Sequence, residues 1–323
     1  WCCATTRLVY IMSSLWIRII TINDVYELDN FPSLATLVKE HKDGKDGVEP
    51  DAFLFFLAGD FVGPSLLSSL DKAASMVDCM NAVGITHVCF GNHETDIPMS
   101  ALAKRVEQSN FVWLNTNLQE LNTKLGIETP EYEILTITSR DKAVTKRIAL
   151  LGLLTDDSSL YRPGSFANAT IEPVISTTDR FVEELQSKVD MMIPLTHQSI
   201  DEDLTFAKTF GGEVFPIILG GHDHVPIDET VRGSRIYKVG MDGDNAGVID
   251  IRWKGNDPAE LPSVKATLLR TAEYAPDPDV SARVASHKVL LKELDQARLF
   301  RVGNWMNDRM KQCLSCESLV LST

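Results

Sequence analysis

Runs of Ile, Val, Leu and Phe alternate along the chain with stretches whose apolar residues recur every third or fourth position. The apolar runs lie at 16–22, 53–58, 86–90, 147–154, 190–195, 216–219, 235–239, 248–253 and 264–269. Their near-continuous hydrophobicity predicts strands buried on both faces. Helical spacing fills 33–40, 65–82, 100–108 and 178–188, several opened by Ser or Thr in a capping position. The alternation predicts an α/β fold with helices flanking sheets, and the strand-rich stretch 235–269 predicts a second sheet packed on the first. After Pro276 the character changes: Asp277-Pro278-Asp279 precedes a charged helical stretch from Val280 to about Arg298, and 302–323 shows no pattern. The expected organisation is one domain over 1–275, with its core from about 16. A linker-like helix and an uncharacterised tail follow over 276–323, with no complete second domain.

Composition narrows the function. The chain has 323 residues, 44% hydrophobic and 24% charged, with a formal net charge of −14, which suits a soluble globular protein. It shows no basic stripe, which argues against a nucleic-acid polymer as partner. An acidic protein that handles phosphate needs local positive charge, and bound divalent cations supply it. No apolar run reaches the roughly 18 residues of a membrane span. The apolar stretch 8–15 follows Arg7, but it lacks a small-residue cleavage site and runs into the strand at Trp16, so no signal peptide is read and the compartment is left open. Opening on Trp1 rather than Met fits a fragment, a processed form or an over-extended frame, with Met12 as a candidate start. Cys79 and Cys89 fall in helical and strand patterns and read as buried free thiols. Cys2 and Cys3 complete no disulfide framework, and Cys313 and Cys316 form a lone CxxC, half a zinc site. Asn168-Ala169-Thr170 is a glycosylation sequon if the protein is secreted.

Chemistry-bearing residues gather just after strands, where open α/β sheets place their ligands. Asp24 follows the first strand, Asp60 the second in Gly59-Asp60, and Asn92 and His93 the third in Gly91-Asn92-His93-Glu94-Thr95-Asp96. His197 ends Leu195-Thr196-His197, and Gly220-Gly221-His222-Asp223-His224 closes a further strand. Taken singly, an Asp in such a place is ordinarily a helix cap and a His a hydrogen-bonded core residue. The pair His222 and His224 is sharper, because alternate strand residues point to one side and two imidazoles there suit a metal. Five strand ends each delivering Asp, Asn or His to one rim predict a metal site.

In these ordered motifs the chain resembles the calcineurin-like metallophosphoesterases, and within them the 5′-nucleotidase family, over roughly 16–272. Gly91-Asn92-His93-Glu94-Thr95-Asp96, Leu195-Thr196-His197, Met80-Asn81 upstream of Gly84, and Val239-Gly240-Met241-Asp242 before Gly247-Val248-Ile249 carry the likeness to that branch. The resemblance implies a four-layer α-β-β-α sandwich, two mixed sheets flanked by helices. It implies two divalent transition-metal ions (Zn, Mn, Fe or Co), with Asp60 bridging, Asp24 and His224 on the first, and Asn92, His197 and His222 on the second. Such a pair holds a bridging hydroxide for in-line attack on a phosphate ester. By the same resemblance Asn92 and His93 face the substrate, His93 protonates the leaving oxygen, and Asp96 orients the His93 ring. Glu94 reads as structural.

The family's first motif is Asp-x-His, whereas this chain has Tyr26 at the histidine position. Three roles stay open for it: a phenolate ligand to a harder ion, a phosphate contact, or a position vacated to water. Nucleotidase relatives bind the base on a separate C-terminal domain, and no residue here supports base recognition. The expected function is hydrolysis of a small phosphorylated substrate, a nucleotide foremost, by a 5′-nucleotidase-like phosphomonoesterase. The alternatives are a phosphodiesterase or cyclic-nucleotide hydrolase, and a metal-binding scaffold with a degenerate site.

Overall fold

The computed structural model describes residues 13–44, 47–257 and 260–296. Cys2, Cys3, Met12, Cys313, Cys316 and the tail from 302 lie outside them. The chain divides into two compact units, 1–287 and 288–323.

In the first unit the strands are β1 (Leu15–Ile22), β2 (Ala52–Ala58), β3 (His87–Cys89), β4 (Val112–Leu114), β5 (Tyr132–Thr138), β6 (Thr145–Leu154), β7 (Met191–His197), β8 (Ile217–Gly220), β9 (Pro226–Val231), β10 (Ser234–Val239), β11 (Asn245–Trp253) and β12 (Ser263–Arg270). The helices are α1 (Phe31–Lys42), α2 (Leu66–Asp71), α3 (Ala74–Val83), α4 (Met99–Gln108), α5 (Glu120–Leu125), α6 (Val174–Leu185), α7 (Ile200–Phe210) and α8 (Pro278–His287). In the second unit, α9 (Val289–Gln296) is a helix of about two turns.

The strands form two six-stranded sheets, ordered β12-β11-β1-β2-β3-β4 and β5-β6-β7-β8-β10-β9. Both are mixed: β1 to β4 run parallel with antiparallel β11 and β12 beside them, and β6-β7-β8-β10 run parallel between antiparallel β5 and β9. β1 is buried along its whole length, the signature of a central strand covered on both faces. The sheets face each other, and glycine sets how closely: a Cβ on Gly152 of β6 would stand 2.4 Å from the backbone oxygen of Leu114 on β4. On the outer side of the second sheet, Phe181 and Leu185 of α6 and Phe206 of α7 pack on Leu151, Met192, Ile218 and Ile236. α1, α3 and α8 pack against one another beside the first sheet. The result is the two packed mixed sheets with flanking helices that the family resemblance implies, but the stretch 235–269 does not form the second sheet by itself. β10 joins it, whereas β11 and β12 return to the first sheet beside β1.

Local corrections have physical causes. The helix predicted over 65–82 is two helices, because Lys72 and Ala73 adopt left-handed φ of 57° and 60°. Asp71 then caps the second one, accepting from Ala74 N and Ser75 N at 3.2 and 2.8 Å. β5 and β9 went unread because they are edge strands with polar, partly exposed residues. α7 carried a legible start signal in Ser199-Ile200-Asp201-Glu202, and the structure forms that capping box. The charged stretch after Pro276 divides into α8 and α9. α8 is tied to α3 by Arg283 and His287, which bond the Asp78 carboxylate at 2.6 and 2.7 Å. Cys79 and Cys89 are buried and free.

Candidate metal centre

The parallel strands of both sheets deliver their C-terminal ends to one rim, and the loops there are bound to each other. Asp24 N donates to Gly59 O at 3.2 Å and Val25 N to Asp60 O at 2.8 Å, joining the loops after β1 and β2. His222 N donates to Asp24 Oδ2 at 2.8 Å, bringing in the loop after β8. Asp24, Asp60 and His222 all have left-handed φ, of 52°, 53° and 75°. Non-glycine residues adopt that region at a cost, and such strain concentrates where function needs a side chain aimed in one direction. A single 3-10 turn over Asn92–Thr95 brings in the fourth loop, and its His93 N donates to Asp60 Oδ1 at 2.8 Å. Gly91 is required just before it, since a Cβ there would stand 2.2 Å from Asp60 Oδ1.

Two donor clusters result. In one, Asn92 Oδ1 lies 3.2 Å from His197 Nε2 and 3.1 Å from His222 Nδ1, and His197 Nε2 lies 3.1 Å from Asp60 Oδ2. The second ring nitrogen of His197 is held by Ala58 O at 2.8 Å, which orients the ring and leaves Nε2 for an ion. In the other cluster, His224 Nε2 lies 3.5 Å from Asp24 Oδ1. The Tyr26 hydroxyl stands among these groups, 3.1 Å from Asp24 Oδ1, 3.3 Å from Asp60 Oδ2 and 3.0 Å from His224 Nε2. All six residues read as ligands therefore meet, and Asp60 touches both clusters. The argument from strand alternation for His222 and His224 fails, however. β8 ends at Gly220, the two histidines sit on the following turn, and they point into different clusters.

The electrostatics fit cations. Asp24 and Asp60 are 0% and 1% exposed, and among the described residues no Lys or Arg bonds either carboxylate. Burying two such charges side by side is costly unless positive charge is supplied. Donor atoms of Asp24, Asp60 and His197 lie within 4.8 Å of one another, close enough to share an ion. Burial works to lower the His197 pKa, but the Asp60 carboxylate and its hydrogen bond outweigh it and push it up to about 10. An ion would take the place of that proton. Burial, followed by the Asp60 and Asp24 charges, holds the Tyr26 phenol far above its usual range, so it is a neutral donor when no ion is bound. His222 is lowered, first by burial and then by His197, whereas His224 is raised by its hydrogen bond to Asp24.

Supporting residues surround the donors. Glu94 is fully buried and accepts from Asp60 N at 3.1 Å, Phe61 N at 2.9 Å, Val62 N at 3.3 Å and the amide of Gly91. Burial and Asp60 push its pKa up to about 7 against the pull of those amides. Asn23 was missed by sequence reading. It donates to Asp24 Oδ2 at 2.7 Å and accepts from Val239 N at 2.9 Å, and its only signal was its place beside Asp24. Asp242, which the sequence marked only as part of Val239-Gly240-Met241-Asp242, accepts from Tyr26 N at 2.7 Å and Glu27 N at 2.9 Å. Beside the clusters, His93 Nδ1 meets Asp96 Oδ2 at 2.7 Å, with the ring 35% exposed. A cavity of about 620 Å³ opens there, lined by Asn92, His93, Asp96, Met99, Leu160 and Arg162 among others.

Paired sheets whose strand ends converge on carboxylate, amide and imidazole donors define a metal-binding α/β protein. The chain belongs to the calcineurin-like phosphoesterase family, whose model matches residues 17–226. It is similar to Protein UshA of Yersinia enterocolitica, 28% identical over 173 residues, covering 50% of this chain and 30% of the relative. It is also similar to a 5′-nucleotidase of Vibrio cholerae, 27% identical over 173 residues with coverage of 50% and 30%. The chain thus spans under a third of the length of these relatives. The fold matches the crystal structure of a 5′-nucleotidase precursor from Thermus thermophilus, with a TM-score of 0.70 at 17% identity, over 87% of this chain and 60% of that one. Among the described residues no helix is long and apolar enough to cross a membrane.

Proposed function

We propose that the chain hydrolyses phosphate monoesters, nucleotides foremost, using two divalent transition-metal ions. One observation carries this: the buried Asp60 carboxylate stands among mixed oxygen and nitrogen donors, 3.1 Å from His197 Nε2 and 3.3 Å from the Tyr26 hydroxyl, with donor atoms of Asp24, Asp60 and His197 all within 4.8 Å of one another. Asn92, His197 and His222 would hold one ion with Asp60, and Asp24 and His224 the other. Such a mixed donor set suits Zn, Mn, Fe or Co rather than Ca or Mg alone. Bound there, the ions supply an activated water and neutralise the phosphoryl oxygens.

The chain's own residues do the rest. With Nδ1 fixed by Asp96, His93 keeps Nε2 for the substrate, where it donates a proton to the departing oxygen. Asn92 orients the phosphoryl group beside it. The adjoining cavity takes the leaving group, with apolar Met99 and Leu160 against its body and Arg162 at its polar side. A scaffold without activity has no use for the His93–Asp96 pair. The similarity to proteins named 5′-nucleotidase supports a nucleotide over other monoesters.

The test is phosphate release from nucleoside monophosphates, cyclic nucleotides and bis-ester analogues, run alongside metal analysis of chelator-free protein. Monophosphates should be cleaved fastest, and a strong chelator should abolish release. Faster cleavage of the cyclic or bis-ester substrates makes the protein a phosphodiesterase. Full turnover in metal-stripped protein ends the proposal.

A further inference from the structure

Lys238 sits in β10 within an apolar run, and its side chain is wholly buried. Its ammonium has three protons to donate. It bonds Gln198 O at 2.6 Å, Gly221 O at 2.8 Å and Asp223 Oδ2 at 2.7 Å, and it stands 2.8 Å from Asp203 Oδ2 of α7. These partners are telling by position. Gln198 follows His197, Gly221 precedes His222, and Asp223 separates His222 from His224. One cation therefore grips the chain beside every histidine in the proposed ligand set.

The surroundings are built to admit it. A Cβ on Gly220 would stand 2.7 Å from Lys238 Cε, so a side chain there would push the lysine off the loop. Asp203 is fully buried and also accepts from Gln198 Nε2 at 3.1 Å, so it holds both the lysine and the residue after His197. A buried ammonium is costly unless its protons are all used, and here two meet backbone carbonyls beside the candidate ligands while the third faces the Asp223 and Asp203 carboxylates. An apolar residue at 238 would leave those carbonyls and two carboxylates without their partner.

We propose that Lys238 is a positioning residue that sets the end of β7, which carries His197, and the loop after β8, which carries His222 and His224, in register before any ion arrives. The consequence for metal affinity rests on the reading of His197, His222 and His224 as ligands. The loop order itself does not.

Three variants test it: Lys238→Met, Lys238→Met with Asp203→Asn, and Asp223→Asn. The double variant removes the buried charge together with its partner and should fold even where the single change, which leaves Asp203 stranded, does not. Asp223→Asn keeps the Lys238–Asp203 pair and loosens only one grip. In metal-free protein, hydrogen exchange should quicken at 198–199 and 221–224 by about tenfold or more, with the rest of the chain unchanged. Cobalt(II) uptake, read by its visible absorption, should weaken by about 10- to 100-fold, and less for Asp223→Asn. Exchange at wild-type rates in both loops of a folded Lys238 variant overturns the proposal. So does unchanged exchange in Asp223→Asn if neither Lys238 variant folds. A wild-type protein that takes up no cobalt defeats the ligand reading, while the exchange measurement still decides the role of Lys238.

Discussion

The Tyr26 hydroxyl lies 3.1 Å from Asp24 Oδ1, the carboxylate oxygen that also faces His224. Held neutral by burial and by two carboxylates, the phenol spends its one proton on a group that an ion would need. On the ligand reading proposed above, it would compete with the first metal rather than replace the imidazole of the family motif. Tyr26→His should reach full activity at about tenfold lower added metal, since a neutral imidazole binds near pH 7 without losing a proton. Tyr26→Phe should keep its turnover at saturating metal. Titrating metal against rate for the three proteins checks this, and a fall in both variants at saturation gives the phenol a task of its own.

The Asp60 carboxylate meets His197 Nε2 on one side and the Tyr26 hydroxyl on the other. Replacing it with Ala should strip both ions and lower turnover on the order of a thousandfold, further than any other ligand change. Metal content and rate measured on the same sample decide the matter. Retention of both ions would move the bridging role elsewhere.

His93 touches Asp96 and the Asp60 loop but lies outside both donor clusters. His93→Ala should lower turnover by about a hundredfold or more with both ions still bound. Substrates with poor leaving groups should suffer most. Asp96→Asn should act the same way more mildly, because the ring loses the carboxylate that orients it. Loss of metal in His93→Ala would make His93 a ligand.

Away from the site, Asp250 of β11 lies opposite Arg18 of β1 and accepts from its Nε and Nη2 at 2.8 and 3.0 Å, and from Trp16 Nε1 at 2.8 Å. Burial works to raise the Asp250 pKa, but these hydrogen bonds lower it below the usual carboxylate value. A depressed folded-state pKa stabilises above the unfolded value of about 3.9 and is lost as pH falls through the folded value. Asp250→Ala should cost about 1–3 kcal/mol at pH 7. The gap to wild type in urea midpoint should begin to narrow below about pH 4, where the unfolded state takes up the proton, and close as pH falls through the lower folded-state value. A gap that stays constant down to pH 2 refutes the assignment.

Much of this protein was legible in one dimension. Continuous apolar runs such as 16–22 and 53–58 mark strands covered on both faces, because only such strands have no solvent side to keep polar. Asp24, Asp60, Asn92, His197, His222 and His224 were readable as candidate ligands because each follows or ends an apolar run and together they match the ordered motifs of the family the chain resembles. Residues that act through hydrogen bonds between distant segments left no such mark. Lys238 looks like an ordinary polar interruption of β10 until Gln198 and Gly221 fold over it. The division of His222 and His224 between two clusters depends on a left-handed φ at His222 that no periodicity encodes. Tyr26 shows the limit most plainly: its identity announces a departure from the family motif, but whether a phenol ligates or competes depends on what stands within 3.3 Å of its oxygen. The sequence by itself determined which elements form and which strand ends carry the chemistry, since hydrophobic period and residue type are local. Only the tertiary structure decided how those ends face one another and what charge each group holds, since both follow from contacts between residues far apart in the chain.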